Sequence, residues 1–451
     1  MNKKQNVNAN ARHVIASVAK QSLAALAFAG IAAGFVACGD DSSSSVGPND
    51  DEEITSSSSD EDASSSSKKD KSSSSAKKDK SSSSAAKDES SSSVKEESSS
   101  SAKEESSSSV EEKFVASAVV FTSDWTTGVL HLMNDKGEFS KKELSFHQDS
   151  RVIANGSDLY VLERKGGDNI TLLDPQKIDS EGENAVVWQI SLDDESNPVD
   201  LAFNGEKAWV ALQNADSLVQ ISTKDGKVLK SIKTGEFAYE GETSPYVQDV
   251  EYADGKLYVM IQRYTYDPEA WTTTYPKGLL AIYNAESGEL LDTIQLATQN
   301  PSEMAFSKGT LYIATHGEYT ATGTDADEKR GIEKVDLESK KSSLYIPGTT
   351  LGGGISTMVV EDGVAYVAID QGMDASYNGI MEVKKVDLSS KKVESISKNV
   401  DLTGAGLMSI NDGAVYFGDR TGKNVIAFEK GKTKSYAMPK GALPPYSITL
   451  L

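Results

Sequence analysis

Asp200, Asp249 and Glu303 are the first residues to weigh as chemistry. Each stands just inside a short alternating strand. The approaches are Asn197-Pro198-Val199-Asp200, Ser244-Pro245-Tyr246-Val247 before Asp249, and Asn300-Pro301-Ser302-Glu303. Carboxylates gathered at one mouth could bind a cation, and a pair could serve as acid and base in a hydrolase. The plainer reading is a turn-capping role, which needs no ligand.

Aromatic residues form the second set. They fall in three long segments between strands. Residues 263–278 carry Tyr264, Tyr266, Trp271 and Tyr275. Residues 316–331 carry Tyr319 with Asp325, Asp327 and Glu328, and residues 370–379 carry Tyr377. Long loops in a compact fold are more often functional than short ones. Exposed aromatic faces with polar edges suit a sugar ring or a protein partner. The competing expectation is that these loops pack on one another and cover the domain. Asp325-Ala326-Asp327-Glu328 has too few oxygen ligands at loop spacing for a calcium site.

Other chemistry has little support. The four histidines, His13, His131, His147 and His316, include no metal-pair spacing. No Gly-x-Ser-x-Gly elbow occurs, nor a sialidase-type Asp box or a quinoprotein tryptophan motif. We therefore assign no catalytic residue and no metal ligand, and expect no cofactor. A single cysteine, Cys38, rules out a disulfide or cysteine-based metal site in the region beyond it. The net charge of −22 makes nucleic acid an improbable partner, because an acidic surface repels phosphate.

These residues are positioned by a repeated phrase, a tight turn followed by an alternating strand with an aromatic residue. Its clearest copy is Asn204-Gly205-Glu206-Lys207-Ala208-Trp209-Val210. Others centre on Tyr160, Tyr258, Tyr312, Tyr366 and Tyr416, each three or four residues after the glycine of a tight turn. Such a repeat of about 50 residues, with several short strands per unit, predicts a β-propeller. Six blades can be counted from residue 149 to about 440. The ends supply a seventh. Residues 118–122 and 128–133 resemble middle strands lacking a first strand, and residues 444–450 resemble a first strand lacking a blade. We expect an all-β, seven-bladed propeller of four-stranded antiparallel blades over 114–451. In it the two ends complete one blade and leave no open edge. The repeated aromatics are expected to pack between blades.

The unit resembles the YVTN family of seven-bladed propellers. Asp254-Gly255-Lys256-Leu257-Tyr258-Val259 matches its turn and strand, with Gly235 and Pro245 ahead of it and Asn284-Ala285-Glu286-Ser287-Gly288-Glu289 after it. Asn169-Ile170-Thr171-Leu172-Leu173-Asp174 and Lys334-Val335-Asp336-Leu337 match as well. The resemblance implies a fold rather than a function, because the motif consists of turn and core residues. By analogy to other seven-bladed propellers, a lactonase-like hydrolase is the enzymatic alternative to a binding or scaffold role.

The first 113 residues read differently. Lys3, Lys4, Arg12 and Lys20 precede an apolar run over 23–37, which matches an export signal. It ends in Phe35-Val36-Ala37-Cys38-Gly39, which resembles a bacterial lipobox, with Phe35 standing where the family prefers Leu. That resemblance implies a signal peptide over 1–37 and a lipid anchor on Cys38, which stable membrane attachment needs in the form of several acyl chains. Residues 38–113 hold eight blocks of four serines with charged spacers. So little apolar surface predicts a disordered tether with an r.m.s. span of roughly 45–50 Å. The tether resembles the tetraserine linkers of surface lipoproteins and secreted fibre-degrading enzymes of gut bacteria. The expected product is a monomer tethered at the outer membrane or cell surface, or on the periplasmic face. A polysaccharide or a protein is its expected partner.

Overall fold

The computed structural model describes residues 113–267, 269–270, 272–319 and 324–451. Cys38, Trp271 and the expected signal peptide and tether over 1–112 lie outside the described residues.

Seven four-stranded antiparallel sheets form the blades of a propeller. The first blade joins both ends of the chain. Its inner strand is Pro445–Leu450, followed outward by Ala118–Ser123, Gly128–Met133 and Leu144–Phe146. The second blade spans residues 150–191, the third 198–233, the fourth 247–299, the fifth 301–347, the sixth 355–400 and the seventh 408–437. Within blades two to seven the strands run in chain order from the axis outward.

Turn chemistry sets this geometry. In the fourth to seventh blades the first hairpin closes through Asp254-Gly255, Lys308-Gly309, Asp362-Gly363 and Asp412-Gly413, with both residues at positive φ. That is the type I′ pattern, whose twist matches that of the flanking strands. The second and third blades instead close through Gly156-Ser157 and Gly205-Glu206, where the glycine alone takes positive φ.

The core is a series of apolar clusters between blades. Tyr160 packs between the second and third blades, Trp209 between the third and fourth, and Tyr258 between the fourth and fifth. Tyr312 and Tyr366 continue the series. The Trp209 indole also donates to Ala285 O at 3.4 Å, a contact from third blade to fourth.

Closure of the ring is extensive. Ala118 pairs with Leu450 and Phe121 with Ser447. Tyr446 donates to Asp149 Oδ1 at 2.8 Å, and Thr449 Oγ1 to Val152 O at 2.6 Å, both across to the second blade. From the other side Arg420 donates to Pro445 O at 3.1 Å and to Ser123 O at 3.2 Å. Its guanidinium lies 4.8 Å from the Trp125 ring and 5.4 Å from the Tyr446 ring. Among the described residues no helix is long and apolar enough to cross a membrane.

Candidate functional site

The repeat places one residue of each blade at the mouth of the ring. Four residues beyond the aromatic of each repeat, the second strand ends and the chain turns, except in the sixth blade, where the strand Val364–Met373 runs on past this point. Those residues are Arg164, Gln213, Gln262, His316, Asp370 and Arg420. In the second to sixth blades each backbone N–H donates to the carbonyl of the residue leading into the inner strand, and Arg420 donates to Asp401 O at the end of the sixth blade. The acceptors are Asp149, Asn197, Tyr246, Asn300, Gly354 and Asp401, at 2.7–3.0 Å. Ser123 makes the same bond to Pro444 O in the first blade. This shared tie holds six of the seven positions at one level, Arg420 being the exception. Gly354 has to lack a side chain there, because a Cβ would sit 2.1 Å from His316 O.

Five of those residues, Arg164, Gln213, Gln262, His316 and Asp370, line one cavity of about 180 Å³. Small-molecule sites usually run to roughly 300 Å³ or more, so this one suits a single ring or a chain end. Gln248, Asn300 and Glu303 add polar lining. Tyr275, Tyr319, Met373, Met381, Leu402 and Leu407 supply apolar and aromatic walls.

Most polar groups here already have partners. Gln213 accepts from Asn197 Nδ2 at 2.8 Å and donates to Gln248 Oε1 at 2.7 Å. His316 Nε2 faces Asp370 Oδ2 at 3.3 Å, while Asp370 Oδ1 accepts from Gly372 N at 2.8 Å. Arg164 Nε pairs with Asp149 Oδ1 at 3.3 Å. Asp327 grips Arg330 at 3.0 Å, and Arg330 in turn donates to His316 O and Glu318 O. Four buried atoms of the lining residues have no hydrogen-bond partner: Arg164 Nε, whose charge is met by Asp149, Tyr275 OH, Gln262 Oε1 and Thr403 Oγ1. Buried polar atoms of this kind are rare in folded proteins, and each calls for an explanation.

One level below, a second ring comes from the inner strands. Arg151, Asp200, Asp249, Glu303 and Thr357 pair with the residue two beyond each repeat aromatic. In four of these blades the register slips one residue earlier, at Val199, Gln248, Ser302 and Ser356. Such bulges re-aim the side chains that follow. Each member reaches the next blade. Arg151 Nη1 donates to Val199 O at 2.9 Å and lies 3.4 Å from Asp200 Oδ1. Asp200 accepts from Val250 N at 3.2 Å, and Asp249 from Met304 N at 2.7 Å. Glu303 is hydrogen-bonded to Thr357. The three acids thus cap backbone groups of the next blade or bond its side chain, a capping role carried across blades rather than within a turn.

Crowding the acids has a cost in ionisation. Burial first, then the Asp200 and Glu303 charges, raises the Asp249 carboxyl well above the ordinary range. Asp249 also hydrogen-bonds the Asp200 carboxyl, which requires a proton between them. Glu251, two residues along the same strand and hence on the same face, is pushed up to about 8 by burial and by Asp200 and Glu303. Burial raises Glu303 to about 7, with Asp200 adding to the rise and Arg151 opposing it. Burial works against the Arg151 charge, but the surrounding acids hold its guanidinium above its ordinary value. Among the described residues no group of three or more His, Cys, Asp or Glu side chains is arranged to hold a metal ion.

The aromatic candidates divide. Tyr275 and Tyr319 line the cavity, with the Tyr319 ring 4.1 Å from that of His316. Tyr264 is buried, stacked on Tyr246 at 3.8 Å and tilted against Tyr275 at 5.8 Å. Tyr266 is half-buried in a hairpin of Thr265–Asp267 and Thr272–Thr274. Tyr377 is 75% exposed and stands away from the cavity lining. These loops therefore pack partly on one another, and the described aromatics do not form a continuous exposed face. Of the acids, Glu303 reaches the cavity while Asp200 and Asp249 lie outside its lining. Sequence reasoning missed Arg164, Gln213, Gln262 and Thr403, and took His316 and Asp370 only as loop boundaries. Reading the column four residues beyond each repeat aromatic would have found all of these except Thr403.

No family profile matches the chain, and no curated protein matches it. Among solved structures it is similar to AztD of Citrobacter koseri, at 11% identity and a TM-score of 0.46, over 75% of this chain and 98% of that one. It is also similar to a functionally unknown protein of Desulfotomaculum acetoxidans, at 12% identity and a TM-score of 0.49, over 74% and 99%. Hydrazine synthase of Kuenenia stuttgartiensis follows at 13% and 0.43, over 62% and 76%. Likenesses of this degree leave the fold to be read from the strand pairing itself and say nothing of a ligand.

Proposed function

We propose that this chain is a non-enzymatic binding propeller whose mouth takes a small ligand rich in hydrogen-bond donors, with the end unit of a sugar chain the best fit. The observation that carries this reading is the unpartnered atoms of the lining, above all the acceptor Gln262 Oε1 and the hydroxyl Thr403 Oγ1. Gln262 belongs to the fourth blade and Thr403 to the segment between the sixth and seventh, so one small ligand in the shared cavity would satisfy both. Apolar and aromatic walls beside amides and carboxyls match the mixed faces of a sugar ring.

The test uses the full chain. A glycan array followed by titration calorimetry on the strongest binder should show affinity falling about tenfold or more in Gln262→Ala, since one buried hydrogen bond is lost. Unchanged affinity in that variant would refute the assignment. A hydrolase is the second reading, favoured by one observation. Glu303, with its carboxyl raised to about 7, shares the cavity with Asp370, whose Oδ2 lies 3.3 Å from His316 Nε2. Two carboxyls in one cavity, one of them held near neutrality, are what acid–base hydrolysis uses. Turnover of the bound glycan or of a lactone, abolished in Glu303→Gln, would move the assignment to that reading.

We further propose that the propeller works from a membrane through lipid on Cys38, with residues 38–113 as tether. The support is the apolar run ending at the chain's single cysteine. Palmitate labelling lost in Cys38→Ala is the expected result, and labelling retained in that variant would refute it.

A further inference from the structure

We propose that the cavity recognises a protonated primary amine, with the ammonium group donating to Gln262 Oε1 and to the Glu303 carboxylate. This deepens the reading of the cavity as a ligand site and rests on it.

The orientation of the Gln262 amide is set by its surroundings. Its Nε2 donates to Asn300 Oδ1 at 3.0 Å and to Pro301 O at 3.0 Å, so both N–H groups are used on acceptors. A flipped amide would place its oxygen against two other oxygens. Oε1 is therefore an acceptor, the residue is only 4% exposed, and no donor reaches that oxygen. Gln262 is tied to residues 300 and 301, at the start of the strand that carries Glu303. Both residues line the same cavity.

Glu303 is the cavity acid that lacks a cation of its own. Asp370 is matched to His316 and to Gly372 N. Arg164 is matched to Asp149, and Arg151 to Asp200 and Val199 O. Among the described residues, no cation stands within ion-pair distance of Glu303. Charged groups face it from several blades: Arg151 and Arg164 from the second, Asp200 from the third, and Asp249 and Glu251 from the fourth. The sixth blade presents the Thr357 hydroxyl, and His316 and Asp370 complete the titratable lining. Four carboxyls share the Arg151 guanidinium, and protons kept on Asp249, Glu251 and Glu303 relieve the excess of negative charge. A neutral hydroxyl would satisfy Gln262 but leave Glu303 without a cation. An ammonium group would satisfy both, and Tyr275 and Tyr319 line the same cavity. No bond forms or breaks. The amine enters protonated, and any proton held by Glu303 leaves to solvent.

The experiment is titration calorimetry on the full chain with glucosamine, N-acetylglucosamine, glucose and ethanolamine at pH 6.5, in two buffers of different ionisation enthalpy. We expect glucosamine to bind about tenfold tighter than glucose or N-acetylglucosamine, as for a charge-assisted hydrogen bond. Ethanolamine should bind as well, without a sugar ring, and proton release should accompany each amine. In Glu303→Gln the amine preference and the proton release should both vanish. Equal binding of glucose and glucosamine would overturn the amine assignment while leaving the cavity as a sugar site. Failure of all four probes, with glycans also silent, would overturn both readings. Amine preference retained in Glu303→Gln would remove Glu303 from the site.

Discussion

Raising the pH should destabilise this propeller, and the central acids are the reason. The Glu303 carboxyl is shifted from an ordinary value of 4.5 to about 7, and that of Glu251 from 4.5 to about 8. Asp249 is raised well above 3.8. In each case the folded chain keeps a proton that the unfolded chain has already released. Stability from such a group is complete below the unfolded value and is lost as pH rises through the folded one. The window therefore runs from about 4.5 to about 8. For Glu303 alone the shift corresponds to about 3 kcal/mol, and because the acids titrate as a set, the three contributions do not simply add. With an unfolding entropy of about 2.1 cal/mol/K per residue over residues 114–451, 3 kcal/mol is about 4 °C in Tm. His131 acts in the opposite sense, because burial lowers it from 6.5, with Glu143 opposing. Its effect is finished near neutrality, where Glu303 has already lost most of its contribution, so a fall above pH 7 reports mainly Glu251 and Asp249. Calorimetric melts at half-unit steps from pH 5 to 9 should show Tm falling through neutrality and on toward pH 8. Glu303→Gln, which keeps the shape without the charge, should remove the part of the fall below pH 7 and melt above the parent at pH 9. A parent whose Tm holds or rises from pH 7 to 9 would refute the reasoning. So would a Glu303→Gln variant that melts lower than the parent at pH 9.

Two further outcomes concern the closure. Deleting the last seven residues removes the strand Pro445–Leu450 with its pairing to Ala118–Ser123 and its contacts to Asp149 and Val152. The truncated chain should lose its cooperative melting transition, and a melt matching the parent would show that closure carries no stability. Arg420→Ala leaves the carbonyls of Pro445 and Ser123 without their donor and strips the cation from between Trp125 and Tyr446. It should cost about 3 kcal/mol in chemical denaturation, as expected for an interaction of this kind broken in a buried site.

What the sequence made legible follows from how propellers encode themselves. Blades are local objects. A glycine turn, an alternating strand and an aromatic that packs on the neighbouring blade all fall within about ten residues. Copies near Tyr160, Trp209 and Tyr258 are therefore visible without any structure, and so is the orphan strand at residues 444–450 that completes the first blade. The mouth has no such local signature. It draws one residue from each copy, and their types differ: Arg164, Gln213, Gln262, His316, Asp370 and Arg420 share a position and no chemistry. A search for motifs passes over them, while a column read four residues beyond each aromatic collects them at once. Asp200, Asp249 and Glu303 were noticed because all three are acids, yet Arg151 and Thr357 occupy the same column and complete its hydrogen bonding. Burial of the aromatics was hidden for a different reason. Tyr264 sits in a long loop, and loop membership alone does not say whether a ring faces solvent. Its stacking on Tyr246 comes from a different segment, which turns back at positive φ just before the inner strand. In a circular repeat, then, conservation of position across copies points to the scaffold, and divergence at one of those positions points to the site. That rule directs attention to Gln262. Its glutamine recurs at Gln213, but only Gln213 finds donors and acceptors for both ends of its amide within the protein.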